Sequence, residues 1–468
     1  MTVAADPGPD PAEHSDSQSV RHHLASPPAV GLLLAAVLMV MAPLVPEALS
    51  WDVHMNSWPP LHAEWAPRLG PGTIPSILLA VLGVSLAARL AHAASWPHLL
   101  LGVYAAGMAW MVSLAMVDGP DGIGVILDTG YEYLNTARTI DSWADVSTML
   151  HEYIDRIPYI PPGNWPTHLA GHPPGAVLFF VLLVALGLGS GLAAGWVVIV
   201  VAATTPVAVL ITLRTLGAED KARIAAPFLV LGPAAIWMAV SADAMFAAVA
   251  AWGLCSLAVA ATRTSAAATA GWGVLSGLLL GYCVMLSYGL PLLGFVALAV
   301  LLIARNFRPL LWAVGAALAV VLTFWAAGFA WWEALPVVHE RQYRGVARNR
   351  PQVYYLWGNL AALSYSAGPI VLAGVATALA RRWSSWRETV RGHDSTRVVV
   401  LLTAAAVAMV VAANVSGASK GEVERIWLPF VPWLLVGAAL LPHRWRRIAL
   451  ALQVAVALAV QHVLLTGW

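Results

Sequence analysis

The charged residues of this chain fall in clusters, and the stretches between the clusters are apolar runs of about 17–25 residues. That is the length an α-helix needs to cross roughly 30 Å of hydrocarbon. Barrel strands need only about 9–11 residues of alternating character, and these runs are too long and too continuous for that. The chain is 60% hydrophobic and 10% charged, against roughly 25% charged in a soluble domain. The fold class is therefore all-α, a polytopic transmembrane helical bundle.

Thirteen runs read as spans: 28–49, 73–94, 97–117, 193–213, 223–240, 245–262, 268–287, 289–304, 309–331, 355–380, 397–414, 425–441 and 447–466. A further run, 174–189, begins with two prolines and ends in Gly187-Leu188-Gly189-Ser190-Gly191. The positive-inside rule decides whether it crosses. If it lies along the membrane or re-enters, the short basic loops around Arg89, Arg214 to Arg223, Arg263, Arg305 to Arg308, Arg381 to Arg397 and Arg444 to Arg447 all share one side. The other side then receives three longer polar segments, 118–173, 332–354 and 415–424. This gives about 13 spans, a cytoplasmic N-terminus and an outer C-terminus. Residues 1–27 are polar and rich in Pro, Asp and Ser, and read as a disordered cytoplasmic segment preceding a transmembrane domain over 28–468.

A net charge of +1 gives no footprint for nucleic acid, and no basic patch with interleaved aromatics suggests one. Cys255 and Cys283 both sit in apolar runs, which argues against a disulfide framework or a Cys-rich metal site.

The outer segment 118–173 is where chemistry is expected, because a long ordered loop in a compact protein is usually functional. It carries Asp118, Asp121, Asp128, Glu132, Asp141, Asp145, Glu152 and Asp155, and leads into Gly171-His172-Pro173-Pro174-Gly175. Short juxtamembrane helices are expected over 131–137 and over 141–156, the second capped by Asp141 or Ser142. A carboxylate just outside the bilayer could take a proton from an acceptor hydroxyl. Asp128, ten residues beyond the third span, is the leading candidate. His172 at the mouth of an apolar segment could bind phosphate or a sugar. Asp243, between two runs, reads either as a functional acid at the membrane boundary or as a helix cap.

The second outer loop, 332–354, holds His339, Glu340, Arg341 and Arg344, then Arg348 and Arg350, on the side that should be poor in arginine. Arginine suits phosphate by charge and by its forked donors; anionic lipid headgroups would suit the same loop. Lys420 and Arg425 repeat the signal before the run 425–441. Acids on one outer loop and cations on two others suit an enzyme in which a base activates an acceptor and a phosphate leaves.

In this order the motifs resemble the GT-C superfamily of polyprenyl-phosphate-sugar-dependent glycosyltransferases, in the branch of the protein O-mannosyltransferases and the aminoarabinose transferases of lipid A. The resemblance rests on Asp128-Thr129-Gly130-Tyr131-Glu132-Tyr133-Leu134-Asn135-Thr136-Ala137-Arg138 after a span, on His172-Pro173-Pro174, and on Asp243 between spans. It continues through His339-Glu340-Arg341-Gln342-Tyr343-Arg344 with Pro351 to Tyr355, and Arg425-Ile426-Trp427-Leu428-Pro429-Phe430-Val431-Pro432. It covers about residues 97–440. Two further spans precede the span that leads into the loop here, where that family opens the loop after its first span, and its acid pair is spread as Asp128 and Glu132, so Asp118 and Asp121 are rival bases.

The resemblance implies an inverting transfer of a sugar from a polyprenyl phosphate to an envelope glycan, lipid or protein at the outer face of the cell membrane. Asp128 and Glu132 would be catalytic. Tyr131, His172, Asp243, His339, Glu340, Arg341, Arg344, Lys420 and Arg425 would bind substrate. Mannose, arabinose, glucose and galactose fit equally as the sugar. The loop acids could bind a divalent ion or none, and no residue is assigned as a metal ligand. Two other readings are a transporter or lipid flippase, which would need ionisable residues or broken helices near mid-membrane, and a non-catalytic scaffold of an envelope complex.

Overall fold

The computed structural model describes residues 26–160, 162–384 and 394–467. The expected disordered N-terminus falls almost wholly outside the described residues, as do Arg387 and Arg391 of one basic loop. Among the described residues, nine helices are long and apolar enough to cross a membrane: Pro27–Ala48, Thr73–Ala93, Trp96–Asp118, Gly191–Thr215, Ala242–Thr262, Ala266–Leu286, Pro309–Ala326, Ser395–Val415 and His443–Val463. The chain is a multi-pass helical membrane protein, as its apolar runs require. A helix keeps every backbone N–H and C=O satisfied within one segment, which hydrocarbon demands.

The other four expected spans are helical but interrupted. The run 223–240 breaks between Glu219–Val230 and Ala234–Met238, at Gly232-Pro233. The run 289–304 begins as a 3-10 turn at Leu290–Leu293, with Pro291 inside it. The run 425–441 is a short helix Val423–Ile426, a break holding Pro429, then Val431–Leu435 with Pro432 in its first turn, continuing directly as a 3-10 turn over Val436–Leu440. The run 355–380 is a pair of helices, Gln352–Ser366 and Ile370–Arg381, bent by 108°. Proline removes an N–H and clashes with the preceding turn, and Gly368 takes the left-handed φ of +87° that the bend needs. Polar side chains satisfy the carbonyls freed at two breaks: Gln453 donates to the Ala367 carbonyl at 2.5 Å, and the Trp110 indole to that of Gly232 at 3.1 Å.

Ala242–Thr262 is the central helix, with 89% of its apolar window buried. Its Ala-rich sequence lets neighbours approach closely. Beside it, Gly273, Gly277 and Gly281 of Ala266–Leu286 form a seam against Pro309–Ala326. A Cβ at Gly277 would stand 2.1 Å from the Ala313 carbonyl oxygen, so only glycine fits. Pro309–Ala326 itself is only 11% buried and turns leucines and tryptophans outward.

Two polar faces bound this bundle. On one, the strand Ala63–Trp65 pairs antiparallel with Leu464–Thr466, Arg68 pairs with Asp118, Arg341 reaches the Trp165 carbonyl at 3.0 Å, and the His62 N–H donates to Glu424 at 3.0 Å. On the other, Arg223 donates to the carbonyls of Ala91 and Ala94 at 2.8 Å, Arg214 stacks on Trp96, Asn306 donates to Ala261, and Arg397 to Ile303. The helix Gly175–Ala185 has 11 residues. It rises about 16 Å and cannot cross roughly 30 Å of hydrocarbon alone, as the distribution of basic loops requires.

Candidate active site

The long loop folds around a short stack of aromatic and capping contacts. Ser142 caps the helix Trp143–Glu152: its hydroxyl accepts the Asp145 N–H at 3.2 Å, and Asp145 accepts the Ser142 N–H at 2.9 Å. The Ser142 hydroxyl and the neighbouring backbone N–H groups hold the Asp145 carboxyl below its ordinary range. After this helix comes Tyr153, fully buried, whose hydroxyl lies 2.8 Å from the Leu169 carbonyl and 3.0 Å from that of His172. The Trp165 indole donates to the Tyr153 carbonyl at 2.9 Å. These contacts pin the helix Thr167–Gly171, which carries His168 and is followed at once by His172 in extended backbone.

Two consecutive residues of the loop meet those two histidines. Glu132 Oε1 stands 2.7 Å from His168 Nδ1, and the Tyr133 hydroxyl 2.6 Å from His172 Nδ1. Tyr133 stacks on Phe180 with ring centroids 5.1 Å apart. Glu132 is 5% exposed, His168 8% and His172 7%. Glu132 Oε2 is buried with no hydrogen-bond partner among the described residues. Burial, partly countered by Asp243, pushes the His172 imidazole down to about 4, so at neutral pH it is uncharged and can donate or accept one hydrogen bond at each nitrogen.

The second half of the site comes from the central helix and from the turn before Val423–Ile426. Asp243 Oδ2 accepts from Arg425 Nη1 at 2.7 Å, with both side chains buried. Arg425 Nη2 reaches Glu422 at 3.1 Å, and Glu422 stands 3.7 Å from Arg350. Burial would raise the Glu422 carboxyl, but Arg425 and Arg350, with His168 and His62, outweigh it and hold it below its ordinary value. Gly421 and Glu422 both adopt positive φ, +88° and +59°, and a non-glycine residue there is strained. The adjacent Glu424 is buried, accepts the His62 N–H through Oε1, and is pushed up to about 7 by that burial. The halves are electrostatically joined: Glu132 acts on Arg425, His168 on Glu422, and Asp243 on His172. Buried charges demand partners of this kind, because desolvation costs several kcal/mol per ion.

Among the expected site residues, the structure thus brings together Glu132, His172, Asp243 and Arg425. Asp243 is no helix cap, since Ser241 occupies that position. Asp128 lies apart and more exposed. Arg138 grips both its oxygens at 2.6 and 2.9 Å, and also donates to the Gly189 carbonyl at 2.8 Å. Arg138 holds the Asp128 carboxyl below its ordinary range and ties the loop to the turn before Gly191–Ala202. Tyr131 is 67% exposed. Arg341 is buried, donates to the carbonyls of Ile157 and Trp165, and stacks on Tyr159. Glu340 and Arg344 pair with each other in solvent, and His339 packs on Tyr343. Lys420 donates to the carbonyls of Ala347 and Arg350 at 3.2 Å.

His168, Glu422, Glu424 and His62 join the site without having been singled out by sequence, and Arg350, one of the expected outer arginines, joins it through Glu422. The His168-x-x-x-His172 spacing and the Glu422-x-x-Arg425 spacing were visible signals. His62 had none: with His54 it is one of two histidines in a Pro-rich connection. Among the described residues no group of three or more His, Cys, Asp or Glu side chains is placed to hold a metal ion. An apolar cavity of about 320 Å³ lies elsewhere, between Thr73–Ala93, Trp96–Ala115 and Glu219–Val230, and none of the cluster lines it.

No protein-family model and no curated protein matches the sequence. Among solved structures, an oligosaccharyltransferase of Archaeoglobus fulgidus, crystallised with zinc and sulfate, aligns with a TM-score of 0.42 and 14% identity, over 94% of this chain and 53% of its own. The chain therefore spans about half the length of that protein.

Proposed function

We propose that this protein is an inverting glycosyltransferase of the cell membrane, moving a sugar from a polyprenyl-phosphate donor to an envelope glycan, lipid or protein. The reading places the charge cluster at the outer face and the basic loops in the cytoplasm, in keeping with the positive-inside rule. The observation that carries it is the junction of Glu132–His168 with Asp243–Arg425–Glu422 under the long loop. In this reading a base and a buried cation that feel one another's charge serve one site at the membrane boundary, where a lipid-borne phosphate would sit.

In this reading Glu132, not the Arg138-bound Asp128, is the base. Its Oε2 takes the acceptor's hydroxyl proton as that oxygen bonds to the anomeric carbon. The bond from that carbon to the phosphate oxygen breaks on the opposite face, and its electron pair leaves on the phosphate. Arg425, with Arg350 and Lys420 nearby, stabilises the charge that develops there. A phosphate needs no protonation to leave, so a second, acidic carboxyl of the glycosidase kind has no task here.

The test is transfer by purified protein in nanodiscs, supplied with a panel of radiolabelled polyprenyl-phosphate sugars and crude envelope acceptor. Glu132→Gln is expected to lose about 10²–10⁴ in rate, while Asp128→Asn stays within about tenfold of wild type. Full activity in Glu132→Gln would remove it from the role.

One observation favours a second reading. The 108° bend at Gly368 and the broken run 425–441 are what a transporter builds its binding site from. Flux of a lipid-linked sugar across proteoliposomes, with no transfer by folded protein, would establish that reading instead.

A further inference from the structure

Glu132 and Tyr133 are adjacent in the chain, and each faces one of two histidines four residues apart: Glu132 faces His168 and Tyr133 faces His172. The two contacts form a pair of rungs between the start of the loop and its end. The Tyr133 rung is fixed from both sides, by stacking on Phe180 and by the Tyr153 hydroxyl beneath His172. It therefore sets the height at which the Glu132 rung must lie. Around that rung stand His172, Asp243, Arg425 and Glu422.

We infer that His168 is a positioning residue for Glu132: its ring holds carboxylate oxygen Oε1 and so directs the other, Oε2, at the acceptor hydroxyl. This rests on the reading of Glu132 as the base. Three observations support it. The contact is an ion-pair approach of 2.7 Å, without the aligned N–H geometry of a hydrogen bond, between two side chains that are each more than nine-tenths buried. The two oxygens of Glu132 differ, since Oε2 is buried with no hydrogen-bond partner among the described residues. And His168 sits on a five-residue helix whose place is set by Tyr153 and Trp165 rather than by the base itself. A carboxylate free to rotate would offer either oxygen in many directions. One held at Oε1 offers a single oxygen along a single line, which is what proton transfer at hydrogen-bond distance requires.

The experiment compares His168→Leu with His168→Asn, because the asparagine amide can place a donor near the position of Nδ1. His168→Leu is expected to lower kcat about 100-fold with donor affinity unchanged, and His168→Asn to recover at least a tenth of wild-type kcat. In parallel, the infrared carboxylate stretch that disappears in Glu132→Gln is expected to shift in His168→Leu and to return towards its wild-type frequency in His168→Asn. Wild-type kcat in His168→Leu, or a carboxylate band unmoved by it, would overturn the inference. So would equal loss in both variants, since a residue that only relays protons or only supports the fold would not be rescued by an amide. If the wild type transfers no sugar from any donor, the functional reading fails, while the infrared comparison still decides whether His168 holds Glu132.

Discussion

Three titratable side chains at the site pull its stability in opposite directions with pH. His172 is held at about 4 by burial, below the 6.5 of a free imidazole. Unfolding lets it bind a proton between those values, so its contribution is complete above pH 6.5 and is lost as pH falls towards 4. Glu424 behaves in reverse. Held at about 7 against 4.5, it binds more protons folded than unfolded, so its contribution is complete below pH 4.5 and is lost as pH rises through 7. Glu422, held low by its arginines, loses its contribution in acid. Glu424→Gln is therefore expected to raise the melting temperature at pH 8 and leave it nearly unchanged at pH 5, worth roughly 2–3 kcal/mol at the higher pH. Thermal unfolding in detergent at the two pH values measures this, and equal shifts at both would show that Glu424 is not the group responsible.

At the scale of elements, the packing of the bundle depends on the glycine seam more than on any leucine. Gly277→Leu is expected to collapse the yield of folded protein, because its side chain would drive into the Ala313 backbone. Gly102→Ala, where nothing lies within 4 Å of the added carbon, is expected to be neutral or to stabilise by up to about 1 kcal/mol. Size-exclusion profiles of the two variants make the comparison. The seam was not read from the sequence, although the helices were, and the difference is physical. A run of 17–25 apolar residues has one outcome in hydrocarbon, whereas a glycine every fourth residue has meaning only once the facing helix is known. Breaks followed the same logic. Gly232-Pro233 and Gly368-Pro369 were plain in the chain, yet apolarity alone joined their flanks into single spans. In the loop, Ser142 declared its helix through Asp145, a local code. His168 showed only its four-residue spacing from His172, because the helix that carries it is fixed by Tyr153 and Trp165 from another part of the loop, and Arg341 read as a phosphate ligand although its donors bind backbone.

Across the whole molecule, the two polar faces differ in kind. One is closed by short arginine caps such as Arg223 on the Ala91 and Ala94 carbonyls, and the other by long segments that interlock over the charge cluster. With Cys255 and Cys283 buried, a single engineered cysteine reports sidedness cleanly. Thr264→Cys is expected to react only after permeabilisation of cells, and Ser147→Cys directly from outside; the reverse pattern would invert the orientation proposed for the active site. The pairing of Ala63–Trp65 with Leu464–Thr466 has a further consequence for how the protein comes into being. Its partners are about 400 residues apart, so the first strand emerges early in synthesis and waits, edge exposed, until the last helix has been threaded. His62 is held between the two ends of the chain, donating its N–H to Glu424 and accepting the Gly467 N–H at its carbonyl. A nascent chain stalled before His443–Val463 lacks the strand that pairs with Ala63–Trp65, so the segment leading to Glu424 is still unpaired on that side.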